Sequence, residues 1–334
     1  MTISVNNQEN TNRIEKQPDA IPQIDLSKDD EVVASEICAA LTTIGFASLV
    51  NHGLEKMIPK AFHASKAFFA LPLEEKMKVK YQGHESNRGY IVCGSEKYES
   101  GAEADRKETY DINPDESDFC QPWPDSSDES LKSFRENLTN YYNQMDQLHL
   151  RIMRLIAIGL DIPSDFLLER CNKKHENLRL LHYPETPLPR EQIGEREPII
   201  RGNVHTDFGT ITLLTQDGVG GLRVMRLDGE WVYVPPAENA VVVNVGDMLQ
   251  RWSNDVLKAN PHQVVEPRDA SNKDSKTIPE RYSIAFFCNA NKEAILECFE
   301  QCVSEDKPAK YPPVKAFDYL TMRLSQTINA VTST

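Results

Sequence analysis

The stretch N-V-H-T-D-F-G-T-I-T-L-L, residues 203–214, decides how this chain is read. His205 and Asp207 stand two apart, so at a strand end both side chains leave the backbone on the same side and can reach one ion. The T-I-T-L-L run that follows has the apolar and β-branched composition of a buried strand. H-x-D spacing arises often by chance, and taken alone these two residues are more often a surface histidine beside a turn aspartate. The neighbourhood has to supply the rest.

Around this stretch, from Leu178 onward, short apolar runs alternate with turns: LRLLHYP, TITLLTQD, GLRVM, EWVYVP, AVVVNVG, QVVEP and YSIAFFCNAN. Such spacing predicts an antiparallel sandwich or barrel. In a double-stranded barrel a distant strand can return beside the first, and His262 opens QVVEP 55 residues beyond Asp207 (262 minus 207). Two histidines and one carboxylate on one face of an octahedral ion leave three positions open, the arrangement of oxygen-activating iron(II) sites. A structural zinc site would be filled, and a zinc hydrolase would need one open position and a nearby base. Arg281 and Ser283, in E-R-Y-S-I-A-F-F, begin 19 residues after His262 (281 minus 262). Their alternation puts a guanidinium fork and a hydroxyl on one strand face, which suits a carboxylate. Standing alone, such a pair is more often a solvated face.

Towards the N-terminus, residues 1–20 are polar, lack an apolar period and read as a disordered tail, so the fold is expected to begin near Ile21. IPQIDL reads as a strand, the segment from Asp29 to Thr43 as a helix, and GFASLVNHG as a second strand. A further helix runs through Ile58, Phe62 and Phe69 and ends at Leu71-Pro72. After an acidic, proline-containing stretch, Ser126 and Glu129 stand at capping-box spacing and predict a helix start. Its apolar stripe is Leu131, Phe134, Leu138, Tyr141, Met145, Leu148, Ile152 and Leu155. Val314 to Ile328 reads as a closing helix. These boundaries divide the chain into the tail (1–20), an N-terminal module (21–125), supporting helices (126–174), the core (175–300) and a C-terminal helical closure (301–334).

Composition narrows the function classes. With 51 acidic against 37 basic side chains the formal charge is -14, a field that repels phosphate backbones and anionic lipid. Nucleic-acid and membrane partners are therefore not expected; a small molecule is, with the chain a monomer. The seven cysteines are scattered without a C-x-x-C pair, which fits a reducing compartment. Cys298 and Cys302, four apart with no histidine nearby, read as buried or idle thiols. No N-terminal stretch is apolar enough for a signal peptide, so the expected location is the cytoplasm, with the nucleus as a second compartment.

Taken together, His205/Asp207, His262 and Arg281/Ser283 in this order resemble the isopenicillin N synthase-like group of 2-oxoglutarate and iron(II)-dependent oxygenases. The resemblance runs from about Ile21 to Asn291 and includes I-P-Q-I-D-L, G-F-A-S-L-V-N-H-G, F-F-A-L-P and R-G-Y, similar to the family's N-terminal module. It implies an α+β chain with a mainly β core: a double-stranded β-helix (jelly roll) with an N-terminal α/β module, a long supporting helix and a C-terminal helix. By the same resemblance His205, Asp207 and His262 hold Fe(II), while Arg281 and Ser283 hold the far carboxylate of 2-oxoglutarate. Tyr183 in L-L-H-Y-P looks like the tyrosine that helps bind this co-substrate, and His52 reads as structural. Two departures are Leu181, where the family often has Asn, and Gln263, where it often has Arg; neither removes a metal ligand. Phe208 and Phe287 are candidates to line the substrate pocket and stack on a flat ring. The implied activity consumes O2, releases succinate and CO2, and hydroxylates or otherwise oxidises a small organic molecule, with ascorbate a candidate activator. Two alternatives stay open: an oxidase of the same fold that does not use 2-oxoglutarate, and a non-catalytic binding protein.

Overall fold

The computed structural model describes residues 20–83, 86–96, 105–115, 119–125, 127, 129–188, 197–267 and 276–328. The expected tail, up to Asp19, lies outside the described residues, as do Ser126 and the last six residues of the expected closure.

The N-terminal part runs β1 (Gln23–Asp25), α1 (Asp30–Thr43), β2 (Phe46–Val50), α2 (Ile58–Phe69), α3 (Leu73–Met77), β3 (Gly89–Ile91) and β4 (Glu108–Ile112). Asp30 and Glu31 occupy the first turn of α1, where the helix dipole favours negative charge. Pro72 separates α2 from α3, since its ring cannot follow the preceding turn but suits the start of the next. Neither α3 nor the two strands β3 and β4 were expected from the sequence; ETYDI lies in a stretch whose acidity hides its alternation.

Then α4 (Phe134–Gly159) and α5 (Ser164–Cys171) follow. The helix expected to start at Ser126 starts at Phe134 instead, preceded only by a 3-10 turn at Glu129–Leu131. Leu131 and Phe134 are both buried, and their spacing of three suits a 3-10 turn as well as an α-helix, so the apolar stripe crosses the break without a signal. At its far end α4 crosses α1 so closely that a Cβ on Gly159 would strike the Cys38 side chain and the Ala34 carbonyl.

The remaining elements are β5 (Asn177–Tyr183), β6 (Thr186–Pro187), β7 (Ile200–His205), β8 (Ile211–Gln216), β9 (Leu222–Met225), β10 (Trp231–Tyr233) and β11 (Val241–Val245). After these come α6 (Asp247–Trp252), β12 (His262–Val265), β13 (Thr277–Ile278), β14 (Arg281–Phe287), β15 (Ile295–Leu296), β16 (Val314–Lys315) and α7 (Ala316–Ile328). A major sheet has the order β1-β2-β11-β8-β14-β5-β4-β3 and a minor one β10-β9-β12-β7; β6 with β13 and β15 with β16 form two short ribbons. N-terminal strands thus flank both edges of the major sheet.

Alternation along the strands sets the two cores. Inward side chains Phe46, Leu181, Tyr183, Val242 and Ala285 meet Leu222, Val224, Val232 and Val264 of the minor sheet. The opposite face of the major sheet, with Leu213, Val243, Ile284 and Phe286, packs on α1, α2 and α4. Burying one side chain of this size contributes roughly 1.5–3 kcal/mol, so both faces stabilise the sheet strongly. Among the described residues no helix is long and apolar enough to cross a membrane.

Candidate functional site

Strand β7 ends on His205, strand β12 begins on His262, and the antiparallel register sets these residues opposite each other. Their rings are 4.4 Å apart between centroids. Asp207 follows two residues past β7 in a turn held by a hydrogen bond from the Asp247 N–H to its carbonyl, 2.8 Å. Gly209 in that turn passes so close to Cys288 that any Cβ would meet the Cys288 carbonyl.

Asp207 Oδ1 lies 3.7 Å from Nε2 of His205 and 3.7 Å from Nε2 of His262. The donor atoms of the three residues all fall within 4.8 Å of one another. Asp207 Oδ2 is fixed by hydrogen bonds from Thr212 Oγ1 and Asn244 Nδ2, each 2.7 Å. His205 Nδ1 is 2.8 Å from the Asn203 carbonyl, and His262 Nδ1 is 3.2 Å from the Asn260 carbonyl. A carbonyl can only accept, so Nδ1 carries the hydrogen in both rings and each Nε2 turns its lone pair towards Asp207 Oδ1. Burial pushes the His205 imidazole down to about 4, and the neighbouring His262 adds to this. Burial alone would raise the Asp207 carboxyl, but the two imidazoles, Thr212 and Asn244 outweigh it and hold it below its usual value. A neutral imidazole at His205 and an ionised carboxylate at Asp207 are the protonation states a divalent metal requires of these ligands. The donor set fits Fe(II).

Strand β14 carries Arg281, Ser283, Ala285 and Phe287 on the face turned into the barrel. Arg281 is buried; its Nε donates to the Gly220 carbonyl at 2.8 Å, Nη1 to Ser283 Oγ at 3.0 Å and Nη2 to Gln216 Oε1 at 3.1 Å. The guanidinium also lies 4.9 Å from the ring centroid of Tyr183, its partner across the β14–β5 register. Among the described residues no carboxylate pairs with this cation. A buried guanidinium balanced only by neutral acceptors is costly unless an anion joins it, which fits the dicarboxylate 2-oxoglutarate.

Beside His205 and Asp207 opens a cavity of about 300 Å³. Phe208, Phe287, Arg179, Asn289, Tyr81 and Leu324 are among its walls. His262, Arg281, Ser283 and Tyr183 are not; they sit in the barrel interior. Arg179 binds Asp111 through Nε (2.7 Å) and Nη2 (2.8 Å) and Glu96 through Nη1 (3.0 Å). Lys107 pairs with Glu96 and Asp105. Helix α7 closes the cavity with Leu320 and Leu324, and Arg323 lies 4.4 Å over the Phe208 ring while pairing with Asp247.

Sequence reasoning missed Thr212, Asn244, Gln216 and Arg179. A signal existed for two of them: Asn244 is the one polar residue in A-V-V-V-N-V, and Arg179 shares the inward face of β5 with Leu181 and Tyr183. His52 is structural, with Nε2 2.7 Å from the Asn239 carbonyl and Nδ1 accepting the Leu54 N–H at 3.0 Å. Cys298 and Cys302 are buried free thiols.

Two family sequence models match the chain: the 2OG-Fe(II) oxygenase superfamily over residues 174–290 and the non-haem dioxygenase in morphine synthesis N-terminal region over residues 21–131. Proline hydroxylase buaE of Petromyces alliaceus is 34% identical, with 89% of this chain and 94% of the relative covered. A full-length Neurospora crassa protein, crystallised in complex with alpha-KG and thymine, matches with a TM-score of 0.83 and 36% identity, over 91% of this chain and 96% of that one. JOX2 in complex with 2OG, Fe and JA matches with a TM-score of 0.76 and 27% identity, over 94% and 88%. On this likeness the sheets described above form the jelly roll of these enzymes. The chain belongs to the 2OG-Fe(II) oxygenase superfamily and is a dioxygenase that depends on 2-oxoglutarate and Fe(II) and acts on a small molecule.

Proposed function

We propose that His205, Asp207 and His262 hold the iron, that Arg281, Ser283 and Tyr183 receive the distal carboxylate of 2-oxoglutarate, and that the cavity between Phe208 and Phe287 takes an uncharged planar ring of nucleobase size. Bound iron and 2-oxoglutarate supply the oxidising power, coupling decarboxylation of the co-substrate to succinate and CO2 with oxidation of a substrate C–H bond. The protein's part is placement. Asn203, Asn260, Thr212 and Asn244 orient the three ligands, Arg281 neutralises a carboxylate inside the barrel, and α7 keeps water from the cavity. The buried Arg281 favours 2-oxoglutarate use over an oxidase of this fold that dispenses with it.

The observation that carries the substrate class is the charge balance of the polar wall. Arg179, the partly buried cation of the cavity wall, is already shared between Asp111 and Glu96, and the other cation lining the cavity, Lys80, is exposed. A carboxylate reaching past Lys80 would meet a guanidinium already neutralised by two carboxylates, whereas the amides of Asn177 and Asn289 can bond a neutral ring. Two phenyl rings suit stacking on a flat face. Thymine in the Neurospora crassa relative is a ring of this kind.

The test is succinate release by the iron-loaded enzyme with a panel of uncharged pyrimidines and purines, thymine and uracil included, against carboxylates such as indole-3-acetate and L-proline. Stimulation by an uncharged ring is expected. Stimulation by carboxylates alone would overturn the substrate assignment while leaving the iron and 2-oxoglutarate roles intact.

A further inference from the structure

We propose that Asp146, His149 and Glu176 form a second divalent-cation site, distinct from the iron centre, between α4 and the major sheet. Asp146 and His149 are three apart on α4 and so share one helix face, and Glu176 immediately precedes β5. This is the helix-packed side of the sheet, where the Tyr142 ring lies 5.0 Å from Phe286. The iron ligands belong to the barrel side.

Four atoms in this cluster are buried without a hydrogen-bond partner: Asp146 Oδ1, Glu176 Oε1 and both ring nitrogens of His149. Glu176 and His149 are fully buried and Asp146 is 6% exposed. Each unpartnered buried polar atom costs roughly 1–3 kcal/mol, so their convergence calls for an occupant. One donor atom from each residue falls within 4.8 Å of the others, and His149 Nδ1 is 3.3 Å from Glu176 Oε1. Two ligands bound at about 2.1 Å in tetrahedral geometry stand about 3.4 Å apart, so that spacing suits a shared ion. Glu176 Oε2 is already engaged by the Tyr142 hydroxyl at 3.2 Å, which aims Oε1 into the gap.

Charge argues the same way. Two carboxylates face a single imidazole, and the neighbouring Lys174, 3.8 Å from Asp146, is half exposed. Burial and the nearby Glu176 push the Asp146 carboxyl up, as crowded negative charge does. A proton shared by His149 and Glu176 would satisfy two of the orphaned atoms and leave Asp146 Oδ1 without a partner. A dication satisfies Asp146 Oδ1, Glu176 Oε1 and one ring nitrogen together and cancels both charges. One imidazole with two carboxylates suits a borderline first-row ion, zinc being the probe of choice.

The experiment uses the full chain carrying Asp207→Ala, which removes the iron site's carboxylate, and the same chain with Glu176→Gln or Asp146→Asn added. Each protein is dialysed against zinc and then against zinc-free buffer. Zinc per chain is read by plasma mass spectrometry, and thermal melts are recorded with and without the ion. About one zinc retained by the Asp207→Ala chain with a raised Tm, and loss of both in the double variants, is expected. Should Glu176→Gln fail to fold, the Asp146→Asn chain, altered at the edge of the cluster, decides. An Asp207→Ala chain that retains no zinc, or double variants that retain it equally, would overturn the site.

Discussion

Asn244 and Thr212 direct their polar hydrogens onto the same oxygen of Asp207, leaving the other oxygen to face the two imidazoles. Groups that orient a metal ligand typically contribute 10–100-fold to affinity. Asn244→Ala should therefore weaken Fe(II) binding by about 10–100-fold in anaerobic equilibrium dialysis, while Asp207→Ala abolishes it together with succinate release; wild-type iron affinity in Asn244→Ala would remove Asn244 from this role. At Arg281, the fork reaches Gly220, Ser283 and Gln216 at once, geometry that an ammonium cannot copy. Arg281→Lys should raise the Kd of 2-oxoglutarate about 30-fold, about 2 kcal/mol, with iron affinity unchanged, and a co-substrate titration of the iron-loaded protein reads this directly. The residues with a fixed pairwise spacing were legible in the sequence: R-x-S lies on β14, where a period of two settles which side chains share a face, and H-x-D joins the last residue of β7 to the turn that follows it. Thr212 was not, because its role exists only once β8 and β11 pair and bring Asn244 to the same carboxylate.

Between residue and molecule, the edge formed by β4 and β5 holds the polar wall of the cavity in place. Burial alone would raise the Glu96 carboxyl, but Arg179 and Lys107 outweigh it and hold it at about 2, below its ordinary 4.5. A carboxyl lowered on folding stabilises the native state above its unfolded value, and that contribution disappears as pH falls from about 4.5 towards about 2. Glu96→Gln should thus cost about 2 kcal/mol at pH 7, seen as a lower Tm, and the two proteins should converge only as the pH approaches about 2. A gap that stays constant with pH would show that the charge of Glu96 is not the cause. Helix α7 contributes Leu320 and Leu324 to the cavity from outside the barrel and lays Arg323 over the ring of Phe208. Removing it after Lys315 should raise the KM of the substrate about tenfold and leave the affinity for 2-oxoglutarate, set at Arg281 in the interior, within about twofold. This helix was readable from its apolar spacing, as was the body of α4. The start of α4 was not, since Leu131 and Phe134 anchor a 3-10 turn and a helix with the same spacing. Strand β4 stayed hidden because Glu108 and Asp111 look solvent-facing until Lys76, His182 and Arg179 are seen to pair with them.

At the scale of the molecule, the major sheet takes strands from both ends of the chain: β1 and β2 complete one edge beside β11, and β3 and β4 complete the other beside β5. Val241 pairs with Leu49, a separation of 192 residues (241 minus 49), and nothing in a local apolar period encodes such a partnership. The sequence read as a module followed by a core, and the hydrogen bonds run continuously across that division. An exposed sheet edge leaves unpaired backbone groups, and here removing the N-terminal strands would bare both edges and uncover the face that α1 and α2 protect. The chain should therefore unfold in one calorimetric transition, with van't Hoff and calorimetric enthalpies in agreement, although its length would permit two domains. A fragment beginning at residue 175 should stay unfolded or aggregate, even though it keeps His205, Asp207, His262 and Arg281. Two separate transitions, or a soluble fragment that binds iron with the affinity of the whole chain, would show that the barrel stands without its N-terminal strands and that the shared sheet is an accessory to the site rather than its frame.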